Sequence, residues 1–157
     1  MRTALNTLEI HPVRDFLLRW KDKHISEAQL AVLEFGRIFT PINRPKGFRL
    51  RKAKHCFANA GDYATRDGPK LGNYVEGFAA SKSQPPFHHA WLTLDGETAI
   101  DVTLPDASDY TYFGIEFPTD LLRHWITQRG YWCLLDPFEP LIIKKLGEAS
   151  SAKNSIS

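Results

Sequence analysis

The sequence predicts an α+β domain, and three observations carry that prediction. Helical apolar spacing fills residues 12–38, a second helical pattern opens at Cys56, and two runs of period-two alternation flank an Asp-Gly turn between residues 89 and 104. A helix opening at Cys56 beside a strand pair that carries His89 and Asp101 predicts helices packed on an antiparallel sheet.

In PVRDFLLRWKD, residues 12–22, Val13, Phe16, Leu17 and Trp20 recur at helical spacing, and Pro12 suits the first turn. Ser26 followed by Gln29 is a capping-box pattern. Behind it Leu30, Leu33, Phe35 and Ile38 predict an apolar helical stripe that Pro41 ends. Residues 41–53, with two prolines and a glycine, read as a loop that holds one short strand at 48–50. A helix is expected from Cys56 to about Thr65, with Phe57, Ala60 and Tyr63 on one side, and then a turn over 66–72. Asn73 to Ala80 reads as a strand and Ser81 to Pro86 as a loop.

The next two strands fix a register. Ala90, Leu92 and Leu94 alternate with His89, Trp91 and Thr93, and Ile100, Val102 and Leu104 alternate with Ala99, Asp101 and Thr103. If both even-numbered sets face one core, opposed residues must sum to an even number, which requires a three-residue loop, Asp95-Gly96-Glu97. Leu94 then faces Thr98, Trp91 faces Asp101, and His89 stands one diagonal step from Asp101 on the same face. His88 points to the opposite face. Thr119 or Asp120 caps a helix through Arg129 that turns Leu121, Leu122, Trp125 and Ile126 inward and stops at Gly130. Residues 131–135 read as a buried strand, 141–146 as a strand or docked segment, and 147–157 as a disordered tail. One domain over 1–146 is expected, with a helical part at 10–40 and a core at 48–135.

Composition narrows the function classes. At 157 residues and 43% hydrophobic content the chain can bury a core without disulfides or metal. Its net charge of +2 gives no global preference for nucleic acid. Two cysteines make no disulfide framework; a single 56–133 bridge stays open, and a reducing, cytoplasmic setting is the simpler reading. No apolar stretch is long enough to cross a bilayer, and the N-terminus lacks a secretory core, so no membrane association is expected.

The chemistry-bearing residues stand in the order Cys56, His89, Asp101. A thiol is mostly protonated near neutral pH; an adjacent imidazole takes that proton, and a carboxylate fixes the imidazole's tautomer and stabilises its charged form. Cys133, inside an aromatic and leucine run, reads as core. Asn59 is a candidate oxyanion donor, Glu76 a candidate pocket carboxylate, and Trp91 a wall over the site or a substrate contact. His55, Cys56, His88, His89 and Asp101 are all metal-ligand types, but their spacing matches no compact zinc pattern, and neither metal nor cofactor is expected. No acidic residue occurs between Glu34 and Asp62, while Arg44, Lys46, Arg49, Arg51, Lys52 and Lys54 cluster there. This run is a solvated loop or a site for an acidic partner; nucleic acid is the weaker alternative, since no recognition motif accompanies it.

At these residues the sequence resembles the transglutaminase-like branch of the papain-like cysteine hydrolases. The matching positions are Cys56 at a helix start, His89-Ala90-Trp91, Asp101-Val102-Thr103, and the intervening strand YVEGFA at 74–79, within residues 48–115. Val102 stands where the family motif has proline. The resemblance implies a nucleophile helix packed on an antiparallel sheet, and a Cys-His-Asp triad acting on an amide or ester bond of a protein or peptide. A non-catalytic binding module on the same fold, gripping a partner through the basic loop or cleft, is the alternative.

Overall fold

A computed structural model describes residues 11–23, 26–66 and 71–135 of the chain. In chain order these form α1 (Pro12–Trp20), α2 (Glu27–Phe35), β1 (Arg37–Pro41), α3 (Cys56–Thr65), β2 (Asn73–Ser81), β3 (Phe87–Thr93), β4 (Thr98–Ala99), a 3₁₀ turn (Ala107–Asp109), β5 (Tyr110–Phe117) and α4 (Thr119–Arg129). The architecture is α+β. Among the described residues, no helix is long and apolar enough to cross a membrane.

The strands form one five-stranded sheet in the order β3-β2-β5-β1-β4. All neighbours are antiparallel except β1 and β4, which run parallel with Thr40 opposite Thr98. The sheet curls until its two edges meet, because Ile100, just beyond β4, exchanges two backbone hydrogen bonds with Leu92 of β3 at 3.0 and 2.8 Å. Residues 92 and 100 sum to the same value as 94 and 98, so the expected register is present, although β3 already ends at Thr93 and the loop to β4 spans residues 94–97. Asp95 holds that loop: its Oδ1 accepts the N–H groups of Glu97 and Thr98 at 2.9 and 2.8 Å, and Gly96 takes φ +77°.

Curling changes what the alternation means. The outer face of the sheet (Tyr74, Phe78, Ala90, Leu92, Phe113, Ile115 and Phe117) packs against residues of all four helices, including Val13, Leu17, Val32, Ala60, Tyr63, Leu122 and Trp125. The inner face gathers Phe39, Val75, Ala79, Trp91, Ala99 and Tyr112 into a second core. Odd-numbered His89, Trp91, Thr93, Ala99 and Asp101 are therefore as buried as Ala90, Leu92, Ile100 and Val102, while Leu94, expected in the core, is 56% exposed at the turn. Trp91 lies edge-on to Phe39 and Tyr112, with ring centroids 5.7 and 5.0 Å away. The position opposite Gly77 must be Gly114, since a Cβ there would meet the Trp91 ring at 2.7 Å. A buried aromatic removes about 150–250 Å² from water, so Trp91 alone contributes about 4–6 kcal/mol to this core.

Three expectations are corrected. The Ser26 capping box is present, Ser26 Oγ and Gln29 Oε1 each accepting the other residue's backbone N–H at 3.2 and 2.8 Å, but α2 ends at Phe35. Residues 37–41 are a strand, because pairing with both β5 and β4 outweighs a helical pattern; Leu30 and Ile38 of the supposed stripe are 40% and 39% exposed, while Ala28, Ala31 and Val32 face the core. Residues 48–50 form no strand, although Phe48 is buried beside Tyr63. Nor do residues 131–135: the N–H groups of Leu134 and Leu135 go to the Glu76 carboxylate, both at 2.8 Å, instead of to a neighbouring strand. On α4, Leu122 and Trp125 are buried while Leu121 and Ile126 are only partly so; Pro118 occupies the N-cap with no side-chain cap, and Gly130 ends the helix at φ +77°. β5, the middle strand of the sheet, had no counterpart in the sequence reading. Part of the 66–72 turn and the segments after 135 lie outside the described residues.

Candidate functional site

β3 and the run after β4 meet in a single bridge, Leu92 with Ile100. His89 and Asp101 come just beyond it, where the seam between the sheet's edges has opened. His89 Nε2 lies 2.7 Å from Asp101 Oδ2. The same oxygen accepts the Tyr112 hydroxyl at 2.8 Å, and Oδ1 accepts the backbone N–H groups of Thr103 and Leu104 at 2.8 Å each. Four donors fill the carboxylate, which is fully buried. Burial alone would raise the Asp101 pKa, but the His89 bond and charge, aided by those N–H groups, bring it below the ordinary carboxylate range.

Cys56 is the first residue of α3, and its thiol interacts electrostatically with the His89 imidazole. Because Nε2 is taken by Asp101, Nδ1 is the ring nitrogen left for the sulfur. Burial pushes the imidazole's pKa down, yet Asp101 and the Cys56 thiol outweigh it and bring His89 up to about 9. The first intrahelical bond of α3 runs from Asn59 N–H to His55 O, so the N–H groups of Cys56, Phe57 and Ala58 precede the ladder, with the positive end of the helix dipole beside the sulfur. The chain enters α3 through Lys54 at φ +63°, a left-handed turn costing a non-glycine residue about 1 kcal/mol. Neither cysteine is in a disulfide.

Two further groups position the two ends. Asn59, one turn along α3, donates both amide hydrogens, to Lys52 O at 2.8 Å and to Thr103 Oγ1 at 2.9 Å. It thereby ties the thiol-bearing helix to the Asp101 loop. Arg44 donates to the carbonyls of Asp101 and Leu104 at 3.2 and 3.4 Å from the other side of that loop.

No family model matches the chain. Searches of curated proteins and of solved structures returned no match either. The site is therefore read from its own geometry.

That geometry pairs His89 with Asp101, sets Cys56 at the start of the neighbouring helix, and gives the three expected substrate contacts structural tasks. Asn59 has spent its amide hydrogens on the tether, so none is left for an oxyanion. Trp91 is fully buried with its ring stacked beside His89 at 6.2 Å, forming the inner wall behind the imidazole. Glu76 points to the outer face, opposite to His89, and is wholly buried. Tyr112 was not singled out from sequence, while Arg44 was read only as part of the basic run and Thr103 only as a strand residue ending the Asp101-Val102-Thr103 match. For Tyr112 a signal existed: YTYFGIEF, residues 110–117, is an aromatic and β-branched run with period-two alternation.

Proposed function

We propose that the protein is a cysteine-dependent hydrolase or acyltransferase of the papain-like, transglutaminase-like kind, acting on an amide or ester bond of a protein or peptide. The observation that carries this is the buried His89–Asp101 pair, its Nε2 2.7 Å from the carboxylate, with the imidazole raised to about 9 by Asp101 and by the Cys56 thiol at the start of α3. His89 takes the Cys56 proton at Nδ1, and the thiolate attacks the carbonyl carbon. The oxygen's developing charge meets the first-turn N–H groups of α3, led by that of Cys56. His89 then gives its proton to the departing amine or alcohol as the carbon–heteroatom bond breaks, leaving a thioester. Water or an amine, deprotonated by His89, attacks the thioester and releases the thiol. Asp101 holds one tautomer throughout, and Tyr112 and the Thr103 and Leu104 N–H groups keep it ionised.

The basic loop supports an acidic character in the substrate or partner. Arg44 and Arg51 are committed internally, Arg51 to Asp62 at 2.5 Å. Lys46, Arg49, Lys52 and Lys54 project from the exposed surface of the loop that leads into Cys56. The test is labelling of the folded, chelator-treated protein with a thiol-directed electrophile. Cys56 should react at least tenfold faster than Cys133. Equal rates, or an amide- or ester-cleaving activity that survives Cys56→Ala, would sink the assignment.

A further inference from the structure

The face opposite the triad holds a second cysteine, histidine and carboxylate. Glu76 on β2, His88 on β3 and Cys133 after α4 bring one ligand atom each to within 4.8 Å of one another. His88 Nε2 lies 2.8 Å from Glu76 Oε1, and the Cys133 thiol donates to that same oxygen at 3.3 Å. We propose that these three side chains bind a zinc-type divalent cation, which fastens residues 131–135 to the outer face of the sheet.

Four observations converge on this reading. The spacing suits a metal: zinc set about 2.0–2.3 Å from N, O and S ligands holds those atoms roughly 3–4 Å apart, so the cluster accepts the ion with side-chain shifts of about an ångström. The ligand set is that of a borderline-soft ion, since a thiolate and an imidazole select zinc over magnesium or calcium. The supports are also built. Phe57 and Phe78 bracket the His88 ring at 4.9 and 5.3 Å, and Tyr74 Oη and Leu134 N–H hold the other carboxylate oxygen at 2.8 Å each. Charge balances as well: binding releases the Cys133 proton, and one thiolate plus one carboxylate neutralise the dication in a site where net charge would be costly. The His88 side chain is 29% exposed, which gives the ion a way in and leaves room for a water as fourth ligand.

A purely structural tie would also use Glu76, whose Oε1 already accepts Leu135 N–H at 2.8 Å. That role does not explain the thiol, which is a weak donor to a carboxylate already supplied with N–H and O–H groups. The inference is independent of the triad's activity.

The experiment uses the full chain, stripped with a chelator and titrated with Zn²⁺ or Co²⁺. One equivalent should bind; Co²⁺ should give a thiolate charge-transfer band, and Zn²⁺ should raise the melting temperature by several degrees. Cys133→Ser and His88→Gln should each lose both signals, while Cys56→Ala keeps them. His88→Gln retains an amide for Glu76, so it removes the ligand while preserving a hydrogen bond. Failure of wild type to bind, survival of the band in Cys133→Ser, or unchanged zinc stabilisation in folded His88→Gln overturns the proposal. So does loss of the band in Cys56→Ala, which would put the metal at the triad.

Discussion

His88 and His89 are neighbours in sequence, and each meets a buried carboxylate and a cysteine, yet the two clusters are wired differently. In the first cluster the imidazole bonds Asp101 and interacts electrostatically with the Cys56 thiol, so a proton can pass from sulfur to nitrogen while Asp101 stays ionised. On the outer face the carboxylate stands in the middle, and thiol and imidazole both point at Glu76 Oε1. That order cannot generate a nucleophile through the histidine, but it gathers ligands and holds a chain segment. Identical residue types thus support different chemistry, decided by which group occupies the centre.

The largest effect should separate the clusters by function. Cys56→Ala should abolish thioester formation, and Asp101→Asn should lower kcat by about 10²–10⁴-fold through loss of the tautomer and charge that Asp101 imposes, whereas Cys133→Ala should stay within a few-fold of wild type. Single-turnover acylation measures all three; a Cys133→Ala loss as large as that of Cys56→Ala would erase the distinction. Next comes stability. Glu76→Ala strands two backbone N–H groups and a tyrosine hydroxyl in a buried place and removes the partner of the half-buried His88, so unfolding should cost about 3–5 kcal/mol less in urea titration.

The pH response should belong to the inner cluster. Because His89 rises from 6.5 to about 9 on folding, its contribution to stability is complete below about 6.5, declines above it, and is gone once pH passes about 9. Chemical denaturation across pH 6–10 should show that slope, flattened in His89→Gln, and activity should fall on an alkaline limb near 9. Asp101 is lowered on folding, so its contribution is present above its ordinary range near 4 and lost as the pH falls through that region and below. The smallest effect concerns the loop: replacing Lys52 and Lys54 by Gln should raise KM for an acidic peptide by a few-fold at low salt, a difference that 0.5 M salt should remove. A KM change that ignores salt would rule out the electrostatic reading.

Much of the inner cluster was legible because its signals are local. The helix beginning at Cys56 and the register between 89–94 and 98–104 follow from apolar spacing and one turn, and together they place His89 rather than His88 beside Asp101. Glu76 was misread because a lone carboxylate in an apolar strand looks the same whether it faces a pocket or a buried segment 58 residues later. Residues 37–41 and 131–135 were misread for a related reason. Their backbone groups are satisfied by distant partners, β5 and β4 in one case and a side chain in the other.

By itself the sequence determined the residue types, their order, the α+β class and the face on which His89 lies, since strand periodicity and turn length set these within some fifteen residues. Only the tertiary structure decided that the sheet curls until Ile100 meets Leu92, that Tyr112 from the middle strand shares Asp101 with His89, and that Asn59 ties the thiol's helix to that loop. Those contacts join elements far apart in the chain. Their energies depend on burial and geometry that no local window contains.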